Sequence, residues 1–425
     1  MSDAIAKSIS GAVPGARSTV GGPYPGARST VGGPYPGVRE RLLRRLLARL
    51  QVGRIHVILP SGRCMTVDGI APGPEATVRI RNWRLVNRML LGGDMGVAEG
   101  YMAGDWDSPD LAALLDLSLR NERALTDLIR QPWPVRLLAR LRHALHANTP
   151  RGSRRNIAAH YDLGNAFYGH WLDETMSYSS ALFETPDEPM ADGQRRKYER
   201  LALALNLQPG DHVLEIGCGW GGFAEIAARD FGCRVTGLTL SREQAVFART
   251  RMADLGLDDR VDIRIQDYRA VRGTYDKIAS IEMFEAVGEA YWPTYLNTLK
   301  ARLAPGGRAG LQIITIDDAH FESYRRSPDF IQRYIFPGGM LPGPNAFADA
   351  VARAGLRLTD AVFFGPSYAE TLRRWDVDFL AAWPEIEKLG FDERFRRMWH
   401  YYLRYCEAGF DAGRINVGQF VIDAG

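Results

Sequence analysis

Cysteine is scarce. Four residues, Cys64, Cys218, Cys233 and Cys406, are spread over 425 with no metal-type spacing and no disulfide density. This excludes a disulfide scaffold and a cysteine-held metal, and points to a reducing, cytoplasmic setting. Long apolar runs are missing as well: none approaches the ~18 residues of a membrane-spanning helix, and the first residues show no apolar core of a secretory leader. Charge of one sign is also missing. Lys and Arg number 53 against 50 Asp and Glu, a net of +3, too small to argue for nucleic acid. No aromatic-rich basic sheet or helix-turn-helix pattern adds to it. With 46% hydrophobic and 24% charged residues, the chain reads as an ordinary globular protein of two or three domains.

What is present centres on residues 213–223, VLEIGCGWGGF. An apolar run leads into Glu215 and then Gly217, Gly219 and Gly221, followed by the helical pattern Phe223 to Ala228. This predicts a buried parallel strand, a tight glycine turn and a helix start. Glycines there let backbone approach a ligand where a Cβ would clash. The spacing E-x-G-x-G-x-G is the pattern of S-adenosylmethionine (SAM) methyltransferases rather than the dinucleotide G-x-G-x-x-G. Three further strands are predicted at Cys233–Leu240, Val261–Ile265 and Lys277–Ile281. Each ends in a polar cluster: Thr239 to Gln244, Gln266 to Tyr268, and Glu282 to Glu285. Ligands in open α/β sheets bind outside such strand ends.

Along the chain, residues 1–37 form a Gly/Pro-rich tail in which Pro14–Tyr24 is repeated unchanged at Pro25–Tyr35; it cannot bury a core and is expected to be disordered. Val38–Leu50 is a basic amphipathic helix that either packs on the next domain or lies on an anionic membrane. Residues 38–134 are expected to form a small α+β accessory domain, with strands at Arg54–Leu59 and Ala76–Ile80, a helix at Trp83–Leu91, a glycine-rich block at 92–106, and a helix capped by Ser108 with Pro109 in its first turn. Residues 135–155 form a basic linker, either solvated or in contact with lipid head groups at about 1 kcal/mol per basic residue. Residues 156–425 are expected to form the SAM-dependent α/β domain, with an insertion between Ile316 and Asn345 and helical cover at Ala369–Glu407.

The chain resembles the cyclopropane-fatty-acyl-phospholipid synthase family, which includes mycolic acid cyclopropane synthases and related fatty-acyl C-methyltransferases. The resemblance runs from about residue 50 to the C-terminus. It is carried by His160 to Asn165 with Phe167 and Tyr168, Met176 to Ser179, Glu215 to Gly222, Gln266 to Arg269, Met283 to Glu285, Tyr334 to Gly339 and Phe379 to Pro384. Residues 93–101 look like the accessory domain of the phospholipid-acting members. The resemblance implies a class I SAM-methyltransferase fold, Rossmann-like with a mixed, mainly parallel sheet, and a smaller α+β accessory domain. It also implies attack of a cis double bond in an acyl chain on the sulfonium methyl, followed by proton loss from the carbocation. Loss from the new methyl closes a cyclopropane, the product expected here; the alternative, loss from a neighbouring carbon, leaves a methyl- or methylene-branched chain.

In the family the base is thought to be a bound bicarbonate. The resemblance places its cage at Ser180, Glu285, Gln312, the backbone of Ile314, and Tyr368. Ser180 stands where the family usually has Cys and Gln312 where it usually has His, which keeps a branched product open beside the cyclopropane. The SAM site is expected from Tyr178, Ser179, Glu215, Gly217, Gly219, Gly221, Thr239, Gln244, Asp267 and Tyr268, with Gln244 taking the ribose role that most methyltransferases give to an acidic residue. His160 is as readily a loop residue as a base. Trp171, Phe183, Phe284, Phe336 and Trp383 are core by default, with some free to line an acyl tunnel. The family further implies a peripheral enzyme on a phospholipid bilayer at the inner face of the cytoplasmic membrane, and a homodimer. Two other readings stand: a methyltransferase of soluble small molecules, and a lipid-binding protein whose catalysis has decayed, against which the intact glycine loop argues.

Overall fold

The computed structural model describes residues 37–126 and 163–424. The repeated tail to residue 36, the basic stretch 135–155 and His160 lie outside them. The described residues belong to one compact unit with two sheets.

The first sheet has the order β2-β1-β3-β4, from β1 (Val52–Ile58), β2 (Cys64–Asp68), β3 (Ala71–Ile80) and β4 (Trp106–Asp107). β2 is not predicted from sequence, because its alternation is weak and it lies on the sheet edge with most side chains in solvent. Helix Val38–Leu47 packs Leu43, Leu46 and Leu47 inward and leaves its arginines outside, so its apolar face is covered by this chain's own core. Helix Arg84–Met102 runs through the glycine-rich block, with a kink at Gly93, whose φ of 58° is left-handed. The next helix, Leu111–Arg120, starts later than expected. Asp110 is its N-cap, accepting from the Ala113 N–H at 2.9 Å, while Ser108 donates to the Thr77 carbonyl instead. Either oxygen suits a cap; the pull of β3 on Ser108 decides between them.

The second sheet has the order β10-β11-β9-β8-β5-β6-β7. β5 (His212–Ile216), β6 (Arg234–Thr239), β7 (Val261–Ile265), β8 (Tyr275–Ile281) and β9 (Leu303–Ile316) run parallel, and β11 (Ile415–Ala424) enters antiparallel between β9 and β10 (Leu356–Phe363). This is the mixed, mainly parallel Rossmann-like arrangement. β5 has its sequence successor β6 on one side and β8 on the other, so the strand order reverses there and a crevice opens at the carboxyl ends.

Helices Gly365–Lys388 and Glu393–Asp411 cover the sheet with Trp375, Phe379, Trp399 and Tyr402, which share one core with Trp171 and with Val57, Tyr101 and Trp106 of the N-terminal segment. Arg397 fastens that junction: it donates to the carbonyls of Tyr101 (2.5 Å) and Trp106 (2.7 Å) and to Asp107 (2.8 Å), with its guanidinium 4.1 Å from the Tyr101 ring centre. Among the described residues, no helix is long and apolar enough to cross a membrane. Arg397→Met should cost about 2–3 kcal/mol, since it strands buried acceptors. A thermal melt should drop by several degrees; an unchanged melt would mean the junction does not depend on this residue.

Candidate active site

β5 delivers Glu215 and then the glycine turn. Gly217, Gly219 and Gly221 have φ of 85°, 52° and 87°, a region that costs other residues about 1–2 kcal/mol. A Cβ on Gly217 would lie 2.8 Å from Met283 Cγ, so this glycine also clears the floor of the crevice. Gly221 does something else. It precedes helix Gly222–Arg229 in a left-handed conformation and faces Met252 and Ala248; the cleft wall is made by its neighbours Gly217, Cys218, Gly219, Trp220 and Gly222. Its predicted cofactor role is therefore one of turn and packing.

The cleft is lined by Tyr178, Ser179, Glu215, Gly217, Gly219, Thr239, Gln244, Asp267 and Tyr268, so nine of the ten residues expected for the cofactor share one cavity. Thr239 donates to Gln244 Oε1 at 2.8 Å, and Ser241 caps the helix that carries Gln244. Asp267 is held by Arg269 at 2.7 Å. Glu215 is buried with Oε2 unpartnered, and burial pushes its carboxyl up to about 8. An unpartnered carboxyl oxygen beside a glycine cradle fits a cofactor rich in hydrogen-bonding groups.

The residues expected around the base lie behind that wall. At their centre stands Glu282, to which the sequence reading assigned no role. Its backbone φ is 50°, strained for a residue with a side chain, and its carboxylate is fully engaged. The Ser180 N–H donates to Oε1 at 2.9 Å, Gln312 Nε2 donates to Oε1 at 2.7 Å, and the Tyr368 hydroxyl donates to Oε2 at 2.5 Å. Three of the five groups expected to hold a bicarbonate thus hold this side chain, and the Ser180 hydroxyl turns away to the Ala181 carbonyl. These donors do not fit an added anion while Glu282 occupies them. The signal in the sequence was a carboxylate at the carboxyl end of a central strand, one residue past its last apolar position.

Glu285 follows in a single 3-10 turn, Phe284–Ala286. Its Oε1 accepts from the Ile314 N–H at 2.5 Å and its Oε2 has no partner. Burial, and then repulsion from Glu282, push its carboxyl up to about 8. Glu282 is also raised by burial, but Lys197, Tyr368, Ser180 and Gln312 all pull it back. The two carboxyls are thereby pushed apart, with Glu285 raised with little to oppose burial and Glu282 raised against four opposing partners. Lys197 is a second residue without a predicted role. It is fully buried, donates to Ser179 Oγ at 2.5 Å, and is brought down to about 7 by burial, with Glu282 and Asp173 opposing. It lies on the inner face of helix Met190–Ala204 with Gln194, Tyr198 and Leu201, where a lysine in an apolar stripe was the sequence signal.

Of the expected core aromatics, Trp171 and Phe284 are buried in separate clusters, with Phe336 and Trp383 half-buried against the first. Tyr178, Trp171 and Trp375 form a ring cluster with centres 5.4–5.7 Å apart, and Tyr178 is hydrogen-bonded to Tyr402 at 2.9 Å. Among the described residues, no cluster of His, Cys, Asp and Glu could hold a metal.

The family model for mycolic acid cyclopropane synthetase matches residues 148–420. The chain belongs to this family. It is 39% identical to the tuberculostearic acid methyltransferase UfaA1 of Mycobacterium tuberculosis, over 90% of each chain. It is 35% identical to the cyclopropane-fatty-acyl-phospholipid synthase of Escherichia coli, over 85% of this chain and 90% of that one. Among solved structures, the mycolic acid cyclopropane synthase CmaA1 complexed with SAH and CTAB superposes with a TM-score of 0.60 at 30% identity, covering 64% of this chain and 98% of that one. The enzyme is thus a SAM-dependent methyltransferase of the fatty-acyl methyltransferase and cyclopropane synthase group.

Glu285 ties stability to pH. Its carboxyl is raised from about 4.5 to about 8, so the folded state holds a proton that the unfolded state releases. The resulting stability is full below about pH 4.5 and is lost as pH climbs through 8. Glu285→Gln should melt several degrees above the wild type at pH 8.5, with the gap closing toward pH 5. Parallel curves would contradict the assignment.

Proposed function

We propose that this enzyme methylates a cis double bond in a phospholipid acyl chain and that Glu282 takes the proton the product must lose, leaving a methyl- or methylene-branched chain. One observation carries the reading: the Glu282 carboxylate is held by Ser180, Gln312 and Tyr368, the groups expected to cage a bicarbonate. The name of the relative that matches 90% of both chains, a tuberculostearic acid methyltransferase, supports the same product class.

SAM, when bound, supplies an electrophilic methyl. The alkene π pair forms the new C–CH3 bond as the S–CH3 bond breaks toward sulfur, and a carbocation is left on the adjacent carbon. A C–H pair then collapses into a new double bond while its proton passes to Glu282. The net gain is CH2, the same as for ring closure, so the atom that loses the proton decides the product. A base tethered to the end of β8 reaches the cation from one fixed side, whereas a free anion is held only by its cage. Tyr178, which lines the cleft with Glu282 and packs against Trp171 and Trp375, offers a π-face to the cation, and the ring cluster excludes water that would quench it. Glu285, protonated, keeps a second negative charge away from the first.

The bilayer surface, at the inner face of the cytoplasmic membrane, is part of this reading. The exposed arginines of helix Val38–Leu47 supply positive charge of the kind that anionic head groups attract.

Glu282→Gln keeps size and removes basicity. It should lower kcat at least about 100-fold, in the range expected of a general base, with SAM affinity unchanged by calorimetry. Wild-type product from vesicles of cis-monounsaturated phospholipid should show a gain of one CH2 with olefinic or methyl-branch proton signals. Upfield cyclopropane protons instead would assign ring closure, and a fully active Glu282→Gln would remove Glu282 as the base.

A further inference from the structure

Behind Glu282, beyond Gln312, runs a chain of side chains that the reaction itself does not use. Gln312 lies on β9 and Gln419 directly opposite it on β11; both are fully buried. Gln419 Nε2 donates to Gln312 Oε1 at 3.1 Å and to the Lys197 carbonyl at 2.9 Å. Arg200, half-buried on the helix that carries Lys197, donates to Gln419 Oε1 at 2.6 Å.

A glutamine amide has two ends of nearly equal shape, one donor and one acceptor. If Gln312 turned over, it would present its carbonyl to the Glu282 carboxylate, so something must fix its sense. Arginine has donors and no acceptor. Arg200 therefore fixes the oxygen of Gln419 toward itself and the NH2 of Gln419 inward. That NH2 requires the oxygen of Gln312, which leaves the NH2 of Gln312 for Glu282. We propose that Gln419 is a positioning residue for the reacting carboxylate, setting the orientation of the Gln312 amide, and that Arg200 sets Gln419 in turn. The inference rests on the reading of Glu282 as the base.

Losing an inward-pointing donor favours the protonated carboxyl. The acidic limb of the kcat–pH profile, below which the base is protonated, should then move to higher pH. The charged and titratable groups facing Glu282 are Lys197 from helix Met190–Ala204, Glu285 from the 3-10 turn and Tyr368 from helix Gly365–Lys388. Asp360 of β10 faces Arg200. The substitutions below leave all of these in place.

The test uses the full chain, SAM and vesicles of cis-monounsaturated phospholipid, with Gln419→Leu, Arg200→Met, Arg200→Lys and Glu282→Gln measured together. Gln419→Leu should lower kcat roughly ten-fold, the scale of one charged hydrogen bond, and move the acidic limb up by about one pH unit, with SAM affinity unchanged. Arg200→Met should shift the limb in the same direction by less, and Arg200→Lys, which keeps a cationic donor, should restore much of it. Wild-type rate and profile in Gln419→Leu, beside an inactive Glu282→Gln, would overturn the relay alone. If Gln419→Leu does not fold, Arg200→Met decides: a shifted limb that Arg200→Lys restores supports the relay, and an unshifted one overturns it. Full activity in Glu282→Gln would sink the base assignment and the relay with it.

Discussion

The site depends on one half-buried carboxylate and the three donors that hold it. Glu282 sits at the carboxyl end of β8, in a backbone conformation few side chains adopt, and is bonded by the Ser180 amide, Gln312 and Tyr368. A buried negative charge is costly unless it is hydrogen-bonded and paired. Here the three donors come from the loop before helix Met190–Ala204, strand β9 and helix Gly365–Lys388, and Lys197 adds its charge. Displacing any of these would leave the carboxylate short of partners, which ties the position of the covering helices to the chemistry at the sheet edge.

The same requirement separates the two glutamates. They are three residues apart and both half-buried, yet Glu285 is served by backbone N–H groups alone while Glu282 receives three donors and a nearby lysine. Unequal solvation of like groups pushes their proton affinities apart. Glu282, Tyr178 and Ser179 line the same cleft as the glycine turn, so in the proposed reaction the methyl donor and the proton acceptor share one wall.

Much of this was legible in the sequence because the motif-bearing strands are short, apolar and followed by glycine or polar clusters. β7 falls on its predicted residues, and β5, β6 and β8 differ by one or two at their ends. The cleft residues follow from the rule that ligands sit at strand ends. What the sequence hid was set by tertiary contacts. The Asp110 cap won over Ser108 because β3 offers Ser108 a carbonyl. Gly221 turned from ligand to packing because helix Arg242–Asp254 lies against it. Glu282 and Lys197 drew no role because a one-dimensional pattern does not reveal which of several polar residues at a strand end points inward. The orientation of Gln312, fixed from Gln419 and Arg200, depends on a cross-strand register that only the folded sheet supplies.

In the proposed reaction a side chain of the protein takes the place of a free anion as base. The most direct test is turnover in buffer purged of carbon dioxide and bicarbonate, compared with the same buffer after bicarbonate is added back. If Glu282 is the base, the two rates will be equal and the product unchanged. A rate that collapses on depletion and returns with bicarbonate would show that the anion, and not Glu282, removes the proton.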